Sequence, residues 1–388
     1  MTKTAIVYTR ESQSLAAGRD LGEQINAQLG EARADAVVVF ASACFDYAVL
    51  LEALEASCRP GVIIGSSSAG EFAGTDRGEG TACAMAISST DLKFAAALGQ
   101  GVGQDRAQAA SQLVGGFQGL TQHEFPFRAA LVMADALAGH IDELVEELTL
   151  QTSAHYQFAG GGAGDDACFS QTHVFCGTRA YTDSVVALEI LSRKPIDVGV
   201  SHGWQPATMP YRVTEARGTR LISLNGLPAI EAFEAHAEES GQHFDPRAPL
   251  PFFLHNILGI ATADGDRLRV PLSIEADGSI NFAAEVPPGA RVYIMKTTNQ
   301  SAVNAAALAT RSALEAIGTE TPGAAFFFDC VATRLRLGDV FGFELDTVAQ
   351  VLETTNIVGC NTYGQIARGA GQFNGFHNCT AVVLVLPS

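Results

Sequence analysis

The feature that most constrains the fold is an order of segments that recurs three times around runs of small residues. In the first run, the strand-like Val37 to Phe40 leads into a helix with Tyr47, Leu50, Leu51 and Leu54 on one face. The apolar Val62 to Ile64 then enters Gly65-Ser66-Ser67-Ser68-Ala69-Gly70-Glu71, and the alternating Thr81 to Ile87 closes the unit. Spacing of i, i+3, i+4, i+7 marks an amphipathic helix, and alternation marks a half-buried strand. The second run passes from Leu131 to Ala134 through a helix carrying Ile141, Leu144, Val145 and Leu148. It then reaches Phe158 to Gly164, Asp165 and Asp166, and His173 to Cys176. The third starts at Phe326 to Phe328, continues through a helix with Leu345, Val348 and Leu352, and reaches Ile357 to Ile366. Asn378 to Leu386 ends it. Gly65-x-x-x-x-Gly70-Glu71 matches Gly359-x-x-x-x-Gly364-Gln365 closely.

Each unit reads strand, helix, strand, small-residue turn, strand. The fold class expected is α+β: mixed sheets with helices, internally repeated, in two closely packed domains. The third unit is longer by an insertion around Leu337 to Asp339. Between units two and three lie shorter alternating segments, with hairpin signals at Asn225-Gly226, Asp264-Gly265 and Asp277-Gly278. The domain boundary is placed near Ile222 to Pro228, dividing the chain into 1–222 and 223–388, ahead of a helix from Ala229 to His236. Hydrophobic residues make up 47% and charged residues only 17%, which suits buried sheet better than long solvated helices.

A formal charge of −18, with no basic cluster, argues against nucleic acid and anionic membrane surfaces as partners. The opening residues offer an apolar stretch too short for a signal peptide, and no run approaches the roughly 20 apolar residues of a membrane span. The eight cysteines form no CxxC pair. Small buried thiols in a cytoplasmic protein are therefore expected.

Gly65 to Gly70 invites comparison with a nucleophile elbow, but the spacing differs from G-x-S-x-G by one residue and no His/Asp partners are recognisable. A tight backbone turn with exposed N–H groups explains it better. Gly99-Gln100-Gly101-Val102-Gly103 has neither G-x-G-x-x-G nor a Walker lysine and reads as a strand-to-helix loop before a helix from Asp105. Gly160 to Asp166 lacks the further acidic residues of an EF-hand loop, and zinc signatures are absent. His202 beside Trp204, His255 in Pro251 to Ile257, and His377 after Phe373 sit among uncharged or apolar neighbours. Each reads first as a hydrogen-bonded structural residue; they are also the imidazoles best suited to haem iron, which favours a neutral histidine within apolar walls.

Taken in order along the chain, these segments resemble the FIST N and FIST C domains. The carriers are Ile64 to Glu71, Gly161 to Asp165, Ser201 to Trp204, Leu224 to Ala229, Cys330, Gly359 to Ile366, and His377-Asn378-Cys379-Thr380. Gln365 departs from the pattern, since the family usually has Glu there; an acceptor remains but a charge is lost. The resemblance implies a sensory module for small ligands such as amino acids, and not an enzyme. It implies a partner such as a histidine kinase or cyclic-di-GMP enzyme. Stand-alone members resemble nitric-oxide-sensing haem proteins, which would place iron on His202, His377 or His255, with Arg336 or Arg368 for the propionates. The haem-free version uses the two turns. Its ligand-binding candidates are Ser66, Ser67, Ser68, Gly70, Glu71, Gly359, Cys360, Tyr363 and Gln365, with His202, Trp204, His377 and Asn378. An enzyme using Cys360 beside His377, and a protein-binding scaffold, are the competing classes. The sensor reading requires residues 65–71 and 359–366 to lie together beside a recess.

Overall fold

The computed structural model describes residues 2–122, 124–263, 265–369 and 375–388. Asp264 of one hairpin signal and Phe373 beside His377 lie outside the described residues.

The first unit comprises β1 (Thr2–Thr9), α1 (Ser14–Leu29), β2 (Ala36–Ala41), α2 (Tyr47–Cys58), β3 (Val62–Ser67), the hairpin β4 (Glu71–Ala73) and β5 (Asp76–Gly78), and β6 (Ala82–Ser89). The second comprises β7 (Leu92–Gln100), α3 (Arg106–Gly115), β8 (Phe127–Ala134), α4 (Ile141–Gln151), β9 (Gln157–Gly162), β10 (Val174–Cys176), β11 (Arg179–Tyr181) and β12 (Ser184–Ser192). After β13 (Asp197–Ser201) comes an inserted nine-stranded sheet, β14 to β22, between Gln205 and Lys296, with α5 (Ala229–Ser240) and α6 (Leu250–Phe253). The third unit resumes with α7 (Asn299–Ile317), β23 (Pro322–Cys330), α8 (Val331–Leu337), α9 (Gly342–Leu352), β24 (Ile357–Thr362), β25 (Gln365–Arg368), β26 (Gly375–His377) and β27 (Ala381–Pro387). The expected insertion near Leu337 is thus a helix, α8, and a short 3-10 turn before α9. A division at residue 222 falls inside β16 (Arg220–Leu224), which pairs with β15 (Tyr211–Arg217) and β21 (Ile280–Phe282) of the inserted sheet.

Three six-stranded sheets have equivalent orders: β1-β6-β2-β3-β10-β11, β7-β12-β8-β9-β25-β26 and β13-β27-β23-β24-β4-β5. In each, one central pair is parallel (β2/β3, β8/β9, β23/β24) and the outermost hairpin comes from a different unit. Hairpin β4/β5 joins β24, β10/β11 joins β3, and β25/β26 joins β9. The sheets' inner faces share one core, into which Val38, Phe40, Leu131, Met133, Phe326 and Phe328 point. The alternate residues Val37 and Val39, Ala130 and Val132, and Ala325 and Phe327 pack outward under helices. Strands covered on both faces read as nearly continuous apolar runs, which accounts for the low charge content.

The parallel pairs run so close at the turn end that side chains are excluded. A Cβ on Gly65, Gly160 or Gly359 would lie 1.8, 1.9 or 1.7 Å from the carbonyl oxygen of Val39, Val132 or Phe327 respectively. The inserted sheet is pinned to this body by Arg269, 1% exposed, which donates to Asp142, to Glu285 O at 2.9 Å and to Phe376 O at 3.1 Å. Among the described residues no helix is long and apolar enough to cross a membrane.

Gly160→Ala combines that carbonyl clash with a φ of +143°. Urea denaturation is expected to show a loss of about 3 kcal/mol, the upper range for overpacking without relief. A loss below about 0.5 kcal/mol would mean that β8 and β9 separate freely here.

Candidate functional site

The two turns meet. Ala69 N donates to Asn361 O at 3.0 Å, Asn361 N donates to Gly70 O at 2.8 Å, and Glu71 and Phe72 pair with Cys360 and Gly359. The Gly160 to Asp166 turn completes the cluster: Gly164 N donates to Ser67 O at 3.1 Å, and Tyr363 N to Gly162 O at 2.9 Å. The turn amides expected to face a ligand are therefore largely spent on one another. What faces space is a set of side chains.

A cavity of about 550 Å³ opens beside Gly70 and Glu71, lined also by Arg77, Glu79, Arg334, Asp339 and Asn361. Asn361 is 1% exposed and its Nδ2 has no partner; the buried Nε of Arg334 has none either. Arg334 does bind Glu79 through Nη1, and Glu79 is largely exposed. Two residues that line a cavity and each hold a buried donor without a partner, with the carboxylates of Glu79 and Asp339 on the same wall, suit a small ligand carrying an acceptor group and a donor or cation. Gly70, at φ +127°, is required here because a Cβ would lie 2.8 Å from Asn361 Oδ1.

Glu71 forms the floor, 1% exposed. Ser68 Oγ donates to its Oε1 at 2.5 Å, and Thr81 donates to Oε2 through Oγ1 at 2.6 Å and N at 3.3 Å. Burial pushes its carboxyl up to about 7 even though these bonds favour the anion. Gln365, fully buried, occupies the comparable place after the third turn: its Nε2 donates to Thr362 Oγ1 at 2.8 Å, and its Oε1 accepts Thr380 N at 3.2 Å. The amide links two strands where Glu71 links Ser68 and Thr81.

The remaining sequence candidates are distributed differently. Ser67 Oγ is tied to His173, accepting its N–H at 2.9 Å, and Ser66 is fully buried. Cys360 is buried, and burial raises its thiol well above the ordinary range, so it stays protonated at neutral pH. Tyr363 donates to Asp165, whose carboxylate also accepts the amides of Phe169, Ser170 and Gln171. Burial pushes Asp165 up, but the Tyr363 and Gln171 bonds outweigh it and hold it below the usual range.

The histidines do not converge. His202 accepts Trp204 N at Nδ1 (3.3 Å) and faces Asp266 O through Nε2 (3.1 Å), so both ring nitrogens are engaged. With Trp204 and Arg336 it lines a crevice of about 10 Å³. His255 is exposed, and His377 sits in β26 opposite Gln365, 1% exposed. Asn378 accepts Val270 N at 3.2 Å and donates to His377 O. Arg336 lies over the Trp204 ring at 5.7 Å, and Arg368 binds Tyr156 O. None of the three histidines lines the apolar cavity beside Phe169 and Tyr363.

Arg334, Asn361 and Glu79 were not among the sequence candidates. A polar side chain inside the buried strand Ile357 to Thr362 is the signal that could have found Asn361. Arg334 has none, since its short helix carries no clear period.

Three sheets that exchange hairpins, with a polar-floored cavity at one exchange, suit a ligand-binding class of protein. The FIST N domain matches residues 35–227 and the FIST C domain residues 232–368. The chain belongs to the FIST family, whose domains are signal-transduction sensor domains that bind small ligands. An uncharacterized protein of Methanocaldococcus jannaschii is 25% identical over 166 residues, covering 40% of this chain and 31% of the relative. The chain thus spans about a third of that relative's length. A cyanuric acid hydrolase from A. caulinodans aligns over 100% of both chains at 9% identity with a TM-score of 0.35.

Glu71 gives the site a pH signature. Its folded value near 7 exceeds the ordinary 4.5, so the folded state holds a proton that the unfolded chain releases between those values. This contribution is present below pH 4.5 and is lost as the pH rises through 7, on the order of 3 kcal/mol in all. Glu71→Gln is expected to remove the slope and to gain stability relative to wild type at pH 8. Equal urea midpoint differences at pH 5 and pH 8 would assign the proton elsewhere.

Proposed function

We propose that the protein is a haem-free sensor of a small polar metabolite of the amino-acid kind, held in the cavity beside Gly70, Glu71, Arg334 and Asn361. The observation that carries this reading is that Asn361 and Arg334, two residues lining the same cavity, each hold a buried donor without a partner, Nδ2 and Nε respectively. A ligand carboxylate supplies the acceptors they lack and competes with Glu79 for the guanidinium. Asp339 and Glu79 receive the ligand's ammonium or hydroxyl. Burial lowers the Arg334 basicity, and the carboxylate of Glu71 nearby raises it again.

The cavity wall is built from different units: Glu71 on hairpin β4/β5, Asn361 on β24 and Arg334 on α8. A ligand touching all three favours one mutual arrangement of these elements, and the population shift is what a partner reads. As the FIST resemblance implies, that partner is a signalling protein such as a histidine kinase or a cyclic-di-GMP enzyme.

A thermal-shift screen of the twenty amino acids and simple carboxylates tests the reading. A binder at about a hundred times its Kd should stabilise by about 2.7 kcal/mol. Arg334→Ala or Asn361→Ala should weaken it by about tenfold or more, as loss of a charge-assisted bond does. Rejection of every ligand would return the protein to the scaffold class. Haemin titration is expected to give no saturable Soret band, and a band abolished by His377→Ala would reinstate haem.

A further inference from the structure

We infer that the protein carries a second, separate binding site, for a compact uncharged apolar molecule of about two fused rings, at the junction of the three-sheet body and the inserted sheet. The site is a cavity of about 250 Å³ that shares Leu335 of α8 with the polar one. The body contributes Leu137, Phe169, Val331 and Tyr363, and the insertion contributes Leu250, Leu254, Val270, Leu272 and Phe282.

Four observations point to a ligand. Leu137, Phe169, Leu250 and Leu335 each keep between 42% and 44% of their surface exposed, and all four line this cavity. They come from four distant stretches of chain, so exposed apolar surface is gathered at one place rather than scattered, as at a recognition site. The aromatic wall is held rigidly: Phe169 stacks on Tyr363 with centroids 4.4 Å apart at 15°. The loop that presents Phe169 places Asp166, Ala167 and Phe169 at φ +55°, +65° and +52°, a conformation held by the Asp165 carboxylate through four backbone and hydroxyl donors besides Tyr363. Lastly, Tyr363 and Asn378 at the wall are satisfied internally, Tyr363 by Asp165 and Asn378 by Val270 and His377. They leave a ligand few hydrogen-bond partners and penalise a charged one.

Size sets the class. An apolar cavity of about 150 Å³ takes up benzene, so this one accepts a bicyclic aromatic or a comparable branched hydrocarbon. Because its walls come from both bodies, an occupant wedges the insertion against the body. Leu335 lines both cavities, so both ligands would touch α8.

The test titrates the full-length protein with 5-fluoroindole, followed by ¹⁹F line broadening, with indole as competitor and indole-3-acetate as the charged analogue. Saturable, indole-competed binding is expected, at least tenfold weaker for the acid. Ala283→Leu, which fills the cavity, should reduce it tenfold or more; Thr219→Leu is the second filling variant should Ala283→Leu fail to fold. Arg334→Ala should leave it unchanged, which separates this site from the polar one. The inference is overturned if wild type does not bind the probe, if a folded filling variant binds as well as wild type, or if the acid binds as tightly as indole.

Discussion

The structure rests on backbone hydrogen bonds among three turns that belong to one another more than to their own sheets. Ala69 and Asn361, Ser67 and Gly164, and Gly162 and Tyr363 each join residues far apart in sequence. The chain leaves a central strand, turns, and hands its next hairpin to a neighbouring sheet. Amide groups at such a crossing are buried and must be paired, and each turn pairs those of the next. Bulk is excluded for the same reason, which is why Gly65, Gly160 and Gly359 cluster where the parallel strands close on each other.

Exchange also explains why the polar cavity lies where it does. The first residue of a donated hairpin lands against a foreign strand, so Glu71 comes to face the Asn361 strand of the third unit. At that position a carboxylate, and at the comparable third-unit position the amide of Gln365, ties local strands together. The amide does so without a charge to bury. The carboxylate keeps its bonds only by tolerating a raised affinity for protons. The first crossing has the titrating group and the open space; the third has Gln365, closed on both sides.

Much of the body was legible from residues. Apolar runs gave β2, β8, β23 and β24, the spaced leucines gave α2, α4 and α9, and Asp105 caps α3 by accepting Gln108 N at 2.9 Å. The proximity of residues 65–71 and 359–366 also followed from the matched glycines. Two long helices escaped notice: the buried face of α7 is almost all alanine, and that of α1 mixes Ala17, Gly18 and Gly22 with Leu21, Ile25 and Leu29. The site was less readable. Turn geometry was right, but which N–H groups remain free depends on which strand crosses which, and that is decided by tertiary pairing. His202 looked available among apolar neighbours; Trp204 N and Asp266 O, neither predictable as partners, occupy its ring. Arg334 matters because α8 turns it toward the cavity, and the short helix gives no sequence period to announce that.

The donated hairpins impose a timetable on the ribosome. The open side of β3 is covered only once residues 174–181 exist, which is soon. The open side of β9, complete at Gly162, waits for residues 365–368, after the whole inserted sheet and most of the third unit have emerged. During that interval a buried-type strand carries a bare edge, the situation in which nascent chains pair wrongly with one another. A central strand left open for so long is the kind of edge that most needs a chaperone's cover.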